Sequence, residues 1–503
     1  MKQGDTLAQI AQALGTVADK VFLPTDGKEV TRAMAVGCSG GLDSSVLLYA
    51  AQRHAAAHGI RLHAFHIHHG LSDQADAWEA HVRLQAAQHG IAFDTRRIDV
   101  AGQGNGTGTE DASRTGRYAA LGALCREHDV PLLLVAHHQD DQAETVLLQL
   151  LRGSGVAGLS GMDTCNTAPS LLGHATLWMA RPMLALSRSS LVELATECAI
   201  DHVEDPSNTD PRFARNALRH QVMPVLEAAF PGFAQRFARS AQHAQAAQAL
   251  LISLAQEDLV RCADGDALLL STLRQLDAAR IDNLLRYWFG RQGKRMPSTA
   301  WLAQLRSQLF GARPDAQILV IHPDCELHRH RDRIVMTERS RASAAVQAPL
   351  VFEWDGSDAM AFPTYGGTLH FDAAEEGLDA VWLRAQRLAL QWRSAGFRLK
   401  PAANRATRSL KYHYQAADIP AWERARLPLV TLAQAPTAGS VTPMAADDSA
   451  LLALGLAEAM PDNARPLPPL LYAAGIGMEC HYFAAGPGSR VVLRWEGDRH
   501  QPD

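Results

Sequence analysis

Residues 1–230 predict an α/β fold, a Rossmann-like parallel sheet with helices on both faces. Two observations carry this prediction. Short apolar strand candidates alternate with helical stretches, and each motif rich in glycine, histidine or acid falls just beyond the end of one of those strands. In open sheets of this kind ligands bind beyond the carboxyl ends of the strands, so the motifs converge on one rim. Beyond this part, the pattern predicts a mainly helical or mixed middle domain over residues 231–345. A small α+β domain is expected over 346–503.

The first strand is the apolar run Ala33-Met34-Ala35-Val36. It leads into Ser39-Gly40-Gly41-Leu42-Asp43-Ser44-Ser45 and then the helix-like Val46-Leu47-Leu48-Tyr49-Ala50. A strand that breaks into Gly-Gly and opens a helix presents free backbone N–H groups and small hydroxyls at a helix N-terminus, which suits phosphate. The loop lacks the Gly-Lys-Ser/Thr ending of a Walker loop and is not GxGxxG. An ordinary glycine turn capped by Asp43 or Ser44 is the plainer alternative.

The second strand, Leu62–Ile67, runs into His66-Ile67-His68-His69-Gly70. On a strand His66 and His68 share one face and His69 takes the other, with no Cys or Asp at ligand spacing. Polar lining of a nucleotide pocket is therefore predicted rather than a zinc site. A third strand is read at 93–100. After the glycine-rich residues 102–108, Glu110, Arg114 and Arg117 recur at helical spacing, either facing the cleft or forming an exposed ion-paired face.

The fourth strand, Leu132–Val135, runs into His137-His138-Gln139-Asp140-Asp141-Gln142-Ala143-Glu144-Thr145. Asp140, Asp141 and Glu144 share one sector of the opening turns of a helix, where acids also complement the helix dipole. Three carboxylates beside two histidines exceed what capping requires. They suit a divalent cation or a substrate ammonium, with His138 able to shuttle a proton. A last strand is read within 177–184, a helix over 188–199, a turn-rich Glu204-Asp205-Pro206-Ser207-Asn208, and helices over 215–226 and 233–254. Farther on, 273–289 reads as a helix, and 317–321 and 333–336 as strands.

Bulk properties exclude several classes. With 47% hydrophobic and 20% charged residues in 503, the chain is not disordered throughout. It shows neither a basic-then-apolar leader nor an 18-residue apolar run, so no membrane association is predicted and a cytoplasmic location is expected. Seven scattered cysteines without a CxxC pair argue against a disulfide framework, a zinc ribbon or a cluster held by paired thiolates. Net charge is −5, yet between Arg384 and Arg426 ten basic residues face only Asp418 and Glu423. Interleaved with Trp392, Phe397, Tyr412, Tyr414 and Trp422, this stripe fits either an RNA backbone with stackable bases or a solvated arginine-rich face. Residues 433–468, rich in alanine and proline, read as an inserted mobile loop.

Taken in order, Ser39–Ser45, His66–Leu71, Glu110–Tyr118, His137–Thr145 with Leu151-Arg152-Gly153-Ser154-Gly155, and Glu204–Asn208 with Phe213-Ala214-Arg215-Asn216 resemble the tRNA(Ile)-lysidine synthetase family, within the N-type ATP pyrophosphatases. The C-terminal part is also similar to that family, through Arg393–Arg398, Arg408-Ser409-Leu410-Lys411 and Ala473–Gly477. It departs from the family at Tyr412-His413-Tyr414 and at the 433–468 insertion.

The resemblance implies that L-lysine is joined to C2 of the wobble cytidine of tRNA(Ile) with a CAU anticodon, after ATP adenylates O2. It implies that Ser39, Gly40, Gly41, Leu42, Asp43, Ser44, Ser45 and His66 bind ATP, and that Asp43 holds Mg2+. Asp43, Arg114, His138, Asp141 and Glu144 are then catalytic, with Asp141 and Glu144 on the lysine amine. Arg212, Arg215, Arg219, Arg398, Arg405, Arg408 and Lys411 are expected at the tRNA. A homodimer is left open. The nearest rival is a tRNA 2-thiocytidine-type thiolation enzyme of the same group, which needs a reactive cysteine or a cluster.

Overall fold

The computed structural model describes residues 4–23, 31–68, 70, 74–98, 109–204, 214–313, 316, 318–339, 348–433, 467–484 and 488–498. The chain forms two compact units, Met1–Met336 and Thr337–Asp503.

The first unit opens with α1 (Gly4–Val21), whose Ile10, Leu14, Val17, Ala18 and Val21 bury one stripe. Then follow β1 (Ala33–Gly37), α2 (Leu42–His58), β2 (Arg61–His68), α3 (Ala75–Gln88), β3 (Ala92–Arg97), α4 (Thr109–Glu127), β4 (Leu132–Leu134) and α5 (Gln139–Leu151). After the short α6 (Val156–Leu159) come β5 (Cys165–Thr167), α7 (Pro169–Leu172), β6 (Trp178–Ala180) and α8 (Arg188–Glu197). The six strands lie in the order β3-β2-β1-β4-β6-β5, parallel except for β5, which pairs antiparallel with β6 at the edge.

Period two in the strands explains the layers. Met34 and Val36 of β1, Leu62 and Ala64 of β2, and Leu132 and Leu134 of β4 enter one core with α1, α2, α3 and α8. Ala33, Ala35, Phe65, Ile67 and Leu133 enter a second core with Tyr118, Leu121 and Leu124 of α4 and Leu172 of α7. On that face Gly122 lets α4 meet α7 directly, because a Cβ there would collide with the Leu172 carbonyl.

Topology fixes where a ligand belongs. From β1 the chain winds outward through β2 and β3, then crosses back to place β4 on the other side of β1. The carboxyl ends of β1 and β4 thus flank the switch point of the sheet, where a crevice opens. The Ser39–Ser45 loop leaves β1 there, and His137–Glu144 leaves β4.

Beyond α8, a helical arm runs through α9 (Ala214–Ala217), a widened π turn (Leu218–Val222) and α10 (Met223–Ala229). The 30-residue α11 (Phe233–Cys262) packs its first half on α5 and α6 and its second half on α12 (Ala278–Arg291), so it belongs to both layers of the unit. Its far end joins a separate core with Leu284, Leu285, Trp288 and Phe289 beside a five-stranded sheet. The single helix read over 273–289 is interrupted: Asp277 accepts a hydrogen bond from Arg280 N and starts α12 afresh, after a four-residue turn at Leu270–Leu273.

The second unit holds a five-stranded and a four-stranded sheet around Trp354, Leu369, Leu388 and Leu471. A smaller core gathers Phe397, Leu399, Leu410 and Tyr414. The 433–468 segment lies outside the described residues except at its two ends. No helix among the described residues is long and apolar enough to cross a membrane.

Candidate active site

At the switch point a cavity of about 580 Å3 is lined by Ser39, Gly41 to Ser44, His66, Trp78, Arg117, His137, Asp141, Arg188, Glu204 and Arg219, among others. The loop that forms one wall is folded on itself. Ser39 N donates to Ser44 Oγ at 3.2 Å, Ser44 Oγ donates to the Gly41 carbonyl at 3.0 Å, and Val203 N donates to the Gly40 carbonyl at 2.9 Å. Gly40 has φ +88, and a Cβ there would lie 3.1 Å from Val203 and 3.3 Å from Val82, so only glycine fits. Gly41 caps α2 without any side-chain cap, which leaves the first amides of the helix for a ligand. His66 Nδ1 donates to the Cys38 carbonyl at 2.9 Å and so braces the same turn.

Asp43 stands in the first turn of α2. Its Oδ1 is buried without a hydrogen-bond partner, and Oδ2 lies 3.7 Å from His138 Nε2. Burial pushes the Asp43 pKa up and Asp141 adds to it, against the pull of His138 and Arg188. His138, 2% exposed, lies behind the cavity wall with Nε2 3.4 Å from Asp141 and Nδ1 3.5 Å from Asp140. Burial would lower its pKa, yet the contact with Asp140 and the charges of Asp141 and Asp43 raise it overall. Asp140 accepts from Arg188 N at 2.9 Å and Asp141 accepts from His138 N at 3.0 Å. Burial opposes ionisation of both, but His138 and these amides hold the two carboxyls below their ordinary range.

The arm after residue 214 turns inward. Arg215 Nε donates to Glu144 Oε2 at 2.9 Å, and Arg219 reaches Glu144 Oε1 at 2.6 Å and Asp141 Oδ1 at 3.1 Å. Glu144 itself is 1% exposed. Arg215 and Arg219, expected at the tRNA, thus sit on the carboxylates that were expected to take the lysine amine. The π turn at Leu218–Val222 carries Arg219 into that position.

Pattern reasoning placed His137, whose pKa burial pushes down to about 3, in the motif without a role and missed Arg188. It named Arg114 for the site, whereas Arg117 is the member of that helix on the cavity wall. Arg212 and the segment from Asp205 to Asn208 lie outside the described residues.

With this geometry in hand, comparison with known proteins becomes specific. Residues 9–226 match a PP-loop domain, residues 268–335 a TilS substrate binding domain, and residues 388–438 a TilS substrate C-terminal domain. A tRNA(Ile)-lysidine synthase from Ralstonia nicotianae is 42% identical over 406 residues, 79% of this chain and 86% of that protein. The chain belongs to the tRNA(Ile)-lysidine synthase family. Proteins of that name from Burkholderia pseudomallei and Coxiella burnetii are 40% and 35% identical, over 78% and 79% of this chain and 85% and 86% of their own. A solved U34-tRNA thiolase from Methanococcus maripaludis, 17% identical, covers 47% of this chain and 79% of its own with a TM-score of 0.36, too little to bear on function.

In the second unit, which includes the match to the family's C-terminal domain, Arg398, Arg405, Arg408 and Lys411 are all exposed. Arg408 lies over the ring of Tyr412, itself 52% exposed. Two aromatics of the stripe are corrected: Phe397 and Tyr414 are core residues and have no face free for a base. Arg424 is also buried, with Nε donating to the Ile419 carbonyl at 2.6 Å.

Proposed function

We propose that this chain is an ATP-dependent ligase that forms a carbon–nitrogen bond between L-lysine and C2 of the wobble cytidine of tRNA(Ile) with a CAU anticodon. One observation carries the reading: an uncapped Gly-Gly loop at a helix N-terminus and Asp141, from the helix turn that also carries Asp140 and Glu144, line a single cavity at the switch point of a parallel sheet. Membership of the lysidine synthase family supplies the substrates.

In this reading residues 1–230 are catalytic, 231–345 form a middle domain, and 346–503 a tRNA-binding domain. The Ser39–Ser45 loop holds the leaving pyrophosphate while O2 of the cytosine attacks the α-phosphorus of ATP. The lysine ε-amine then attacks C2, AMP departs with the O2 oxygen, and a proton is lost from nitrogen. His138, ringed by Asp43, Asp140 and Asp141, accepts it in its neutral form, which its raised pKa shifts to higher pH. The amine approaches through Asp141 and Glu144, exchanging with the Arg219 guanidinium that occupies them here. The orphaned Oδ1 of Asp43 and the hard oxygen donors around it fit Mg2+, which when bound offsets phosphate charge. Arg114 supports the adenylated base from α4, and Arg398, Arg405, Arg408 and Lys411 grip the tRNA backbone.

Thiolation is disfavoured by the one cysteine near the loop. Burial pushes the Cys38 pKa up to about 12, and its thiol donates to the Val36 carbonyl at 3.4 Å. A nucleophilic or sulfur-carrying cysteine needs the opposite environment.

The test is release of AMP and pyrophosphate by purified protein with tRNA(Ile), ATP and Mg2+, with and without L-lysine. AMP release that depends on lysine, and that is lost in Asp43→Ala, is expected. Lysine-independent turnover at the same rate would sink the reading.

A further inference from the structure

The Ser39–Ser45 loop owes its shape to chain that lies outside it. Gly40 stands at φ +88, and a glycine leaves its flanking peptides free to turn over. Its carbonyl accepts from Val203 N at 2.9 Å. Because the carbonyl and the following N–H of a trans peptide point to opposite sides, this bond turns the Gly41 N–H the other way, where Ser39 Oγ on the cavity wall lies 3.4 Å off. A turned-over peptide would aim the Gly40 carbonyl at an anion instead. Whatever holds Val203 therefore decides whether this part of the loop attracts phosphate or repels it.

Val203 belongs to a strap, Asp201–Val203, that follows α8, and His202 and Val203 both line the cavity. The strap is held from α3. Trp78, His81, Val82 and Gln85 recur on one helical face, and that face meets loop and strap together. Trp78 lines the cavity, and a Cβ on Gly40 would lie 3.3 Å from Val82 Cγ2 and 3.6 Å from His81 Cδ2. His81 Nδ1 stands 4.0 Å from an Asp201 carboxylate oxygen. At the end of the row Gln85 Nε2 donates to the Asp201 carbonyl at 2.5 Å, and the same amide lies 3.4 Å from Ser45 Oγ. A carbonyl takes only a donor, so the Asp201 contact fixes which way the Gln85 amide faces. Ser45, 4% exposed, also has its hydroxyl 3.4 Å from the Gly40 carbonyl, so one side chain of α3 joins the strap to the back of the loop.

Resting on the pyrophosphate role proposed above for the loop, we propose that Gln85 is a positioning residue of the reaction. It pins the Asp201–Val203 strap, and through Val203 it keeps the Gly40–Gly41 peptide turned for anion binding. Gln85 touches no reacting atom; its effect reaches the ligand through the backbone.

The experiment titrates the full-length wild type, Gln85→Leu, Gln85→Glu and Gln85→Lys with inorganic pyrophosphate and with ATP, each with Mg2+, by calorimetry, and measures KM for L-lysine by AMP release. Gln85→Leu removes the donor, Gln85→Glu sets a carboxylate against the Asp201 carbonyl, and Gln85→Lys keeps a donor. Kd for pyrophosphate and for ATP should rise together by about 5- to 30-fold in Gln85→Leu, the worth of a hydrogen bond whose carbonyl is left unpaired, and at least as much in Gln85→Glu. Gln85→Lys should stay within about threefold of wild type, and KM for lysine should stay within about twofold throughout. A residue that only supports the fold would reduce the number of binding sites and leave each Kd unchanged; that result would overturn the proposal, as would a KM for lysine that rises as far as Kd for ATP. Hydrogen exchange decides the matter where a variant does not fold. The Val203 amide of the free wild type should exchange at least about 10-fold more slowly than an unstructured amide, and an unprotected rate would overturn the proposal by itself. A wild type that binds ATP but no pyrophosphate would refute the role of the loop, a result distinct from these, and the proposal with it.

Discussion

Replacing Glu144 by alanine perturbs the most heavily paired side chain of the site. Its carboxylate accepts from Arg215 Nε at 2.9 Å, Arg219 Nε at 2.6 Å and Arg219 Nη2 at 3.0 Å. Removing one member of a buried ion pair costs about 3–5 kcal/mol, because the partner charge is left in the wall. Here the arginine side chains keep 24% and 34% exposure, and Arg219 retains Asp141 at 3.1 Å. Water and Asp141 therefore take up part of the stranded charge, and the net loss falls to about 2–3 kcal/mol. For a unit of this size that is a drop of about 3–4 °C in Tm, read by calorimetry on the first unfolding transition. Glu144→Gln, which keeps shape and loses charge, should fall by about half as much. A double-mutant cycle with Arg215→Ala should give a coupling of at least about 1 kcal/mol. A Tm for Glu144→Ala within about 1 °C of wild type would refute the reasoning, since the three contacts would then contribute nothing.

Gly40→Ala forces a Cβ against Val203 and Val82 at φ +88; it should strain the loop by about 1–2 kcal/mol and raise the KM for ATP by about tenfold, and an unchanged ATP titration would contradict the cradle. His138 has a folded pKa above its ordinary 6.5, so its contribution to stability is complete below that value and is lost as pH rises through the raised one. The stability gap between wild type and His138→Gln should shrink as pH rises above 6.5; a constant gap would show that the histidine is not charged in the fold. Cys38, with its pKa at about 12, should resist iodoacetamide in the native protein, and Cys38→Ala should still transfer lysine. Joint replacement of Arg408 and Lys411 by alanine should weaken tRNA binding and flatten its dependence on log salt by about 1–2 units; an unaltered slope would remove them from the interface.

What could be read from residues alone follows the reach of each signal. Strands β1 and β4 announce themselves because they are buried on both faces and so are apolar without interruption, whereas β2 is as buried but is interrupted by His63, His66 and His68. The loop after β1 and the carboxylate turn after β4 are local patterns, each complete within nine residues. The edge strand Cys165–Thr167 is three residues long and carries no period to detect. Arg215 and Arg219 meet Glu144 across more than 70 residues of chain, a distance over which no sequence pattern operates. Arg114 and Arg117 lie one turn apart, so helical spacing puts both near the cleft without telling which one reaches the wall. Phe397 and Tyr414 look like stacking residues by composition, and only the packing of the small C-terminal core shows them spent on it.

The central claim is that the cavity between the Ser39–Ser45 loop and Asp141 converts the wobble cytidine into its lysine adduct. Mass spectrometry of nucleosides from tRNA(Ile) treated with the purified protein, ATP, Mg2+ and isotopically labelled L-lysine tests it most directly. The account predicts that the wobble cytidine gains the mass of lysine less one water, with the label retained, and that Asp43→Ala gives none of this product. An unmodified cytidine, or one carrying sulfur in place of oxygen, would contradict it.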